Sequence, residues 1–203
     1  MRRSTLFCSL GEILFVTFVI LATAGGNAAG AEMARLAEST WDDYVPKGKE
    51  VDSIYGDYVL RNKLLTAVIA DPIRGRNANM TTPEVGCSLI DLTVLHPQSD
   101  QLSAFYPGGL EFPYTLKSSS LGEEETTRSA SVELACSSPA AEGRPEAEVT
   151  YTLRDGEPYL RVTSVYRNTT STPLTLSLED IVRADRTFET PPDGPVPFFW
   201  AYD

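Results

Sequence analysis

Apolar and polar residues alternate on both sides of an Asp-Gly pair in the second half of the chain, and this pattern restricts the fold most. The apolar positions around Asp155–Gly156 are Val149, Tyr151, Leu153, Leu160, Val162 and Tyr166. A two-residue period places apolar side chains on a core and polar side chains in water, and Asp-Gly favours the tight turn of a hairpin. The pattern therefore predicts an antiparallel β-hairpin over residues 149–167.

Other segments also have the character of strands. The alternation resumes at Leu174, Leu176 and Leu178, which predicts a third strand and a meander with one face in water. Residues 64–70 form a largely apolar run closed by Asp-Pro, as expected of a strand covered on both faces, and residues 88–94 predict another strand. Polar or proline-containing stretches at residues 117–128 and 137–146 predict surface loops. The predicted fold class is all-β, an antiparallel β-sandwich.

The first residues are typical of an export signal. Two arginines precede a twelve-residue apolar stretch at residues 13–24, and small residues follow it. We therefore expect a signal peptide at residues 1–31, cleaved before Glu32, and an exported protein that is periplasmic, cell-surface or secreted. The alternative is an uncleaved membrane anchor formed by residues 13–24, which would be the protein's only contact with a membrane.

The remainder divides into three segments. Residues 32–50 predict a linker or a short helix, and residues 51–190 predict the β-sandwich domain. Residues 191–203 predict a proline-rich connector and the start of a further strand with four aromatic residues. Because such side chains normally need partners, we expect either a docked strand or a chain that is the front part of a longer protein.

The acidic composition argues against one class of partner. The chain of 203 residues carries 28 acidic and 17 basic residues, a net charge of −11. Non-specific binding to nucleic acid relies on lysine and arginine contacts with phosphates, so we expect no nucleic-acid partner.

After removal of the signal, two cysteines remain, Cys87 and Cys136. In an oxidising compartment the pair can form a disulfide, which would stabilise the fold by roughly 3–4 kcal/mol. The alternative is two buried, reduced cysteines that act as small apolar residues.

The chain lacks the residues that several kinds of catalytic site require. His96 is the only histidine of the chain, so neither a clustered zinc site nor a serine triad with a glycine-rich elbow can be assembled. No phosphate-binding glycine loop is present. We therefore expect no metal, no cofactor and no catalytic residues. A carboxylate-based glycan-cleaving enzyme stays open as an alternative, because many acidic pairs are possible.

Two patches are candidates for ligand binding. The first concentrates planar hydrogen-bonding groups suited to sugar hydroxyls or a carboxylate, namely Arg74, Arg76, Asn77 and Asn79. The second, on a glycine- and proline-rich scaffold, offers the rings of Tyr106 and Tyr114 for stacking on sugars. The alternative for both patches is structural: turn formation for the first and a roof over the core for the second.

Several motifs are similar to the opening of a secreted bacterial multidomain family. They are the stretch at residues 55–62, the loop at 76–79, the stretch at 86–92, and the hairpin at 151–160 with Tyr166, Arg167 and Asn168. In that family an N-terminal galactose-mutarotase-like β-sandwich of the supersandwich kind precedes other modules. Some members carry downstream metal-dependent hydrolase modules of the polymerase-and-histidinol-phosphatase type.

The resemblance implies a fold and a non-catalytic role. A mutarotase-type sugar site would use several histidines with a carboxylate, and His96 alone cannot supply them. The metal ligands of the hydrolase module are also missing from this chain. The sequence therefore predicts an exported, non-catalytic β-sandwich module that binds carbohydrate or packs against a further domain. The alternatives are a fragment of a glycan-active enzyme and a purely structural fragment of a larger secreted protein.

Overall fold

The computed structural model describes residues 30–47, 52–78, 82–95, 98–100, 102–110, 112–176 and 179–184. They form one short helix, α1 (Trp41–Tyr44), and two antiparallel sheets. The strands are β1 (Ala31–Arg35), β2 (Tyr58–Arg61), β3 (Leu65–Ile69), β4 (Leu89–Leu95), β5 (Gln98–Asp100), β6 (Leu102–Tyr106), β7 (Thr115–Ser119), β8 (Thr126–Ser129), β9 (Ser131–Ser138), β10 (Glu146–Arg154), β11 (Arg161–Arg167) and β12 (Ile181–Ala184).

The two sheets differ in size. The large sheet has the order β12-β6-β4-β3-β2-β1-β8, with β5 paired to β4. The small sheet has the order β11-β10-β9-β7. The protein is therefore an all-β antiparallel sandwich, as the alternation of apolar residues predicts.

The main core lies between the sheets. Met33, Leu60 and Ala67 face it from the large sheet, and Val149 and Tyr151 face it from the small sheet, all fully buried. The Tyr151 hydroxyl donates a hydrogen bond of 2.8 Å to the Cys87 carbonyl, so the phenol has a partner inside the core.

A second apolar cluster covers part of the opposite face of the large sheet. Val59, Val68 and Ile90 form its floor, and Trp41 and Tyr44 of α1 pack against it. Strand β3 is therefore buried on both faces, which confirms the prediction drawn from its apolar run.

A disulfide joins the two sheets. Cys87 lies just before β4 in the large sheet, Cys136 lies in β9 of the small sheet, and their Cα atoms are 6.4 Å apart. Cys87 adopts a left-handed φ of 61° in a turn closed by a hydrogen bond from the Ser88 N–H to the Val85 carbonyl. The predicted disulfide is present.

The predicted hairpin is confirmed, whereas several of the other predictions are corrected. Strands β10 and β11 pair over the expected residues. Leu174 and Leu176 lie outside any strand; the third strand beside the hairpin is β9, which precedes it. Residues 117–128, predicted as a loop, contain most of β7 and β8, because main-chain pairing does not require apolar side chains.

The N-terminal segments also need correction. The linker or short helix predicted over residues 32–50 begins with a core strand, β1, and only then forms α1. Ala31 is buried and pairs with Ser129, so cleavage before Glu32 would remove the first residue of β1. Residues 1–29 of the predicted signal peptide, which include the possible anchor at residues 13–24, and the predicted connector at 191–203 lie outside the described residues. No helix of the described part is long and apolar enough to cross a membrane.

Candidate functional site

Arg76, predicted to contact a ligand, is instead an internal structural residue. Its guanidinium makes two hydrogen bonds to the buried Asp57 carboxylate, and that of Nη2 to Oδ2 is 2.7 Å long. Asp57 also accepts hydrogen bonds from the N–H groups of Ile54 and Asp71. Burial raises the pKa of Asp57, against the lowering effect of Arg76 and the two N–H donors. Arg76 therefore fastens a loop to β2 and is not available to a ligand.

Tyr106 and Tyr114 also point inward, which corrects their predicted role as stacking platforms. Tyr106 belongs to the second apolar cluster and donates a 2.7 Å hydrogen bond to the Pro83 carbonyl. Tyr114 belongs to the main core and donates to the Pro107 carbonyl at 3.3 Å. Burial raises the pKa of both phenols. The structural alternative for these aromatics is therefore the correct one.

Of the rest of the first patch, two residues are described and both lie on the surface. Arg74 and Asn77 are exposed, and the Asn77 side-chain oxygen accepts a hydrogen bond from the Glu84 N–H. Asn79 and His96 lie outside the described residues.

The structure instead contains a cleft of about 780 Å³ beside β1–β4, on the face of the large sheet that points away from the small sheet. Its floor consists of alternate residues of neighbouring strands. The sheet register places Arg128 opposite Glu32, Glu32 opposite Arg61, Arg61 opposite Thr66, and Thr66 opposite Thr93. This polar row crosses five strands, β8-β1-β2-β3-β4. Because side chains alternate along a strand, neighbours of the row in the central strands, such as Met33, Leu60 and Ala67, face the main core.

An ion-pair cluster lies at one end of the polar row. The Glu32 carboxylate forms ion pairs with two arginines. One of its oxygens lies 2.5 Å from Nε of Arg61, and the other contacts Nη2 of Arg128. Arg61 also donates from Nη1 to the Asp43 carbonyl, and its guanidinium lies 4.0 Å from the centre of the Tyr44 ring. Strands β1, β2 and β8 and helix α1 thus fix the Arg61 side chain.

Asn62 holds the adjoining rim of the cleft. Its side-chain N–H groups donate to the carbonyls of Arg154 and Glu157, each at 2.8 Å, and its oxygen accepts the N–H groups of Leu64 and Leu65. The β2–β3 turn is therefore tied to the β10–β11 turn. Lys63, at the tip of the β2–β3 turn, is exposed and lines the cleft.

The cleft offers hydrogen-bonding groups of several kinds. Both oxygens of Glu32 are held by guanidinium groups, so neither is placed to attack a substrate or to deliver a proton. Within the described ranges no group of three or more His, Cys, Asp or Glu side chains is arranged to hold a metal ion. Threonine hydroxyls, guanidinium N–H groups and carboxylates together can form hydrogen bonds with a ligand rich in hydroxyl groups.

The sequence patterns did not single out any residue of this row. Glu32 and Arg128 lie 96 positions apart along the chain and meet only through the pairing of β1 with β8. The available signal was local: Arg61, Asn62 and Lys63 are a polar break between two strongly apolar strands.

No family model matches this chain, and neither a curated protein nor a solved structure matches it. The resemblance to galactose-mutarotase-like sandwiches therefore stays a prediction that rests on the sequence motifs.

Proposed function

We propose that this protein is an exported, non-catalytic β-sandwich module that binds a polysaccharide in the cleft above the polar row. The observation that supports this proposal best is the row itself, in which hydroxyl, guanidinium and carboxylate groups of neighbouring strands line one cleft. Arg61 and Arg128 are its more exposed members, and Glu32, Thr66 and Thr93 form a largely buried floor. A polysaccharide presents hydroxyl groups along an extended chain, which such a surface can bind at several points. The site differs from the two patches suggested by the sequence, but the class of ligand is the same.

Thr66 offers the most direct test. Its hydroxyl forms no hydrogen bond with a described residue, and it lies in the cleft floor near the middle of the row. Thr66→Val keeps the shape of the side chain and removes the hydroxyl. The loss of one neutral hydrogen bond is expected to weaken polysaccharide binding about two- to tenfold.

Affinity electrophoresis of the full chain in gels that contain single polysaccharides measures this effect. Thr150→Val, on the outer face of β10, is the matched control and should migrate like the wild type. The proposal would be supported if a polysaccharide retards the wild type and Thr150→Val equally and retards Thr66→Val less. No retardation by any polysaccharide, or equal losses in both variants, would contradict it.

The enzyme alternative is tested with the same samples. A non-catalytic module releases no reducing ends from a polysaccharide that it binds. Steady release by the full chain, absent when Glu32 or Asp43 is replaced, would show instead that the cleft is an active site.

A further inference from the structure

Resting on the proposed function, we infer that the polysaccharide is acidic and carries its charge on carboxylate groups, as in a polyuronate. Three features of the cleft support this inference: its local charge, the donors that Arg61 and Lys63 keep available, and the acidic groups beside them.

The local charge of the cleft is opposite to that of the chain. The cleft is lined by four cations and three acids, a balance of +1: Lys47, Arg61, Lys63 and Arg128 against Glu32, Asp43 and Asp155. The whole chain carries −11. The cleft is therefore slightly basic on an otherwise acidic protein, and an anion meets less repulsion there than on the surface as a whole.

Arg61 is oriented but not saturated by its partners. A guanidinium has five N–H donors in a planar fork. Arg61 uses Nε for Glu32 and Nη1 for the Asp43 carbonyl, and its remaining N–H groups have no acceptor among the residues that the structure describes. A fixed guanidinium with donors to spare matches a carboxylate, which can accept two parallel hydrogen bonds.

Lys63 supplies a second cation near Arg61. It forms no ion pair with any residue in the described ranges, and it is held at the cleft rim by the hydrogen bonds of its neighbour Asn62. We place the ligand carboxylate between Lys63 and Arg61. On the other side of Arg61, Glu32 already occupies the space between two guanidinium groups and would repel a second carboxylate.

The acids of the cleft favour a sugar acid over a simple anion. Asp43 and Asp155 line the same cleft, and ionised carboxylates only accept hydrogen bonds. Sugar hydroxyls can donate to them, whereas an anion without hydroxyl groups would meet only repulsion there. A uronate residue presents one carboxylate together with several hydroxyls, which matches this mixed lining.

The test compares polygalacturonate with its methyl ester, which has the same sugar chain without the charge. Calorimetric titration of the full chain should show at least about tenfold weaker binding of the ester. Lys63→Glu should weaken binding of the acid form about tenfold or more and leave binding of the ester nearly unchanged. Arg74→Glu makes the same change of net charge on an exposed residue outside the cleft, and it should bind like the wild type.

The outcomes separate this inference from the proposed function. Equal binding of acid and ester, or equal losses in Lys63→Glu and Arg74→Glu, would overturn the acidic ligand while leaving a polysaccharide-binding module. Binding of a neutral glucan alone would do the same. Failure to bind any polysaccharide would contradict the proposed function, and the inference with it.

Discussion

Asp57 and Arg76 show how one pair of side chains fixes the surroundings of a strand. The Asp57 side chain is fully buried and that of Arg76 is 4% exposed, so the two charges compensate each other away from water. The composition of the loop predicts a binding role for Arg76, because arginine and asparagine side chains together offer planar hydrogen-bonding groups. The direction of a side chain depends on where its counter-charge lies in the fold, and Asp57 is 19 positions away.

Replacing one member of this pair should strongly destabilise the fold. Asp57→Ala leaves the Arg76 charge buried without its carboxylate, which is expected to lower the free energy of unfolding by about 3–5 kcal/mol. Urea titration measures this change, and the exposed Glu142→Ala is a control expected to stay within about 0.5 kcal/mol of the wild type. A loss for Asp57→Ala no larger than that of the control would contradict a buried, stabilising pair.

Arg76→Met should make stability depend more strongly on pH. Burial already raises the pKa of Asp57 above its ordinary value of 3.8, and loss of Arg76, the strongest lowering influence, raises the folded-state pKa further. The folded variant then holds the Asp57 proton more tightly than the unfolded chain does. Its stability should therefore be greatest below about pH 4 and should fall as pH rises through the folded-state pKa. Unfolding curves that stay parallel to those of the wild type across this range would contradict the assignment.

The strands that the sequence predicts have side chains that are at least partly buried on one face. Strands β3, β10 and β11 follow directly from apolar runs or alternation, which report burial. Strands β7 and β8 are largely exposed and polar, so their side chains resemble those of loops although their main chains pair. The polar row could not be predicted, because it depends on the register between strands that are distant in the sequence. Alternation indicates on which face of the sheet a side chain lies, but not which residue of the neighbouring strand lies opposite it.

The disulfide that joins the two sheets should contribute measurably to stability. Cys136→Ser opens the bridge that joins residues 49 positions apart. The free energy of unfolding is expected to fall by about 3–4 kcal/mol, because the unfolded chain regains the freedom that the bridge removes. Equilibrium unfolding of the oxidised wild type, the reduced wild type and Cys136→Ser tests this expectation. The last two should agree closely, and an unchanged stability on reduction would contradict a structural role for the bond.

The cover on the two faces of the large sheet determines where the cleft lies. One face of the large sheet is committed to the main core, and part of the other face is covered by α1 and the loop that Arg76 holds. The polar row lies beside this cover and forms the floor of the cleft, in which Glu32, Thr66 and Thr93 are largely buried. The same arrangement explains why the tyrosines of the second predicted patch are core residues: they lie where the faces are covered.

The central claim, that the cleft is the ligand site, is tested most directly by titrating the isotopically labelled full chain with an oligogalacturonate and following its amide resonances by NMR. We predict that the largest shifts fall on residues 61–66, Thr93 and Arg128, which line or adjoin the polar row. Shifts concentrated on the outer face of the small sheet would contradict a site in the cleft. Shifts concentrated on residues 74–78 would also contradict it and would favour the loop that the composition indicates.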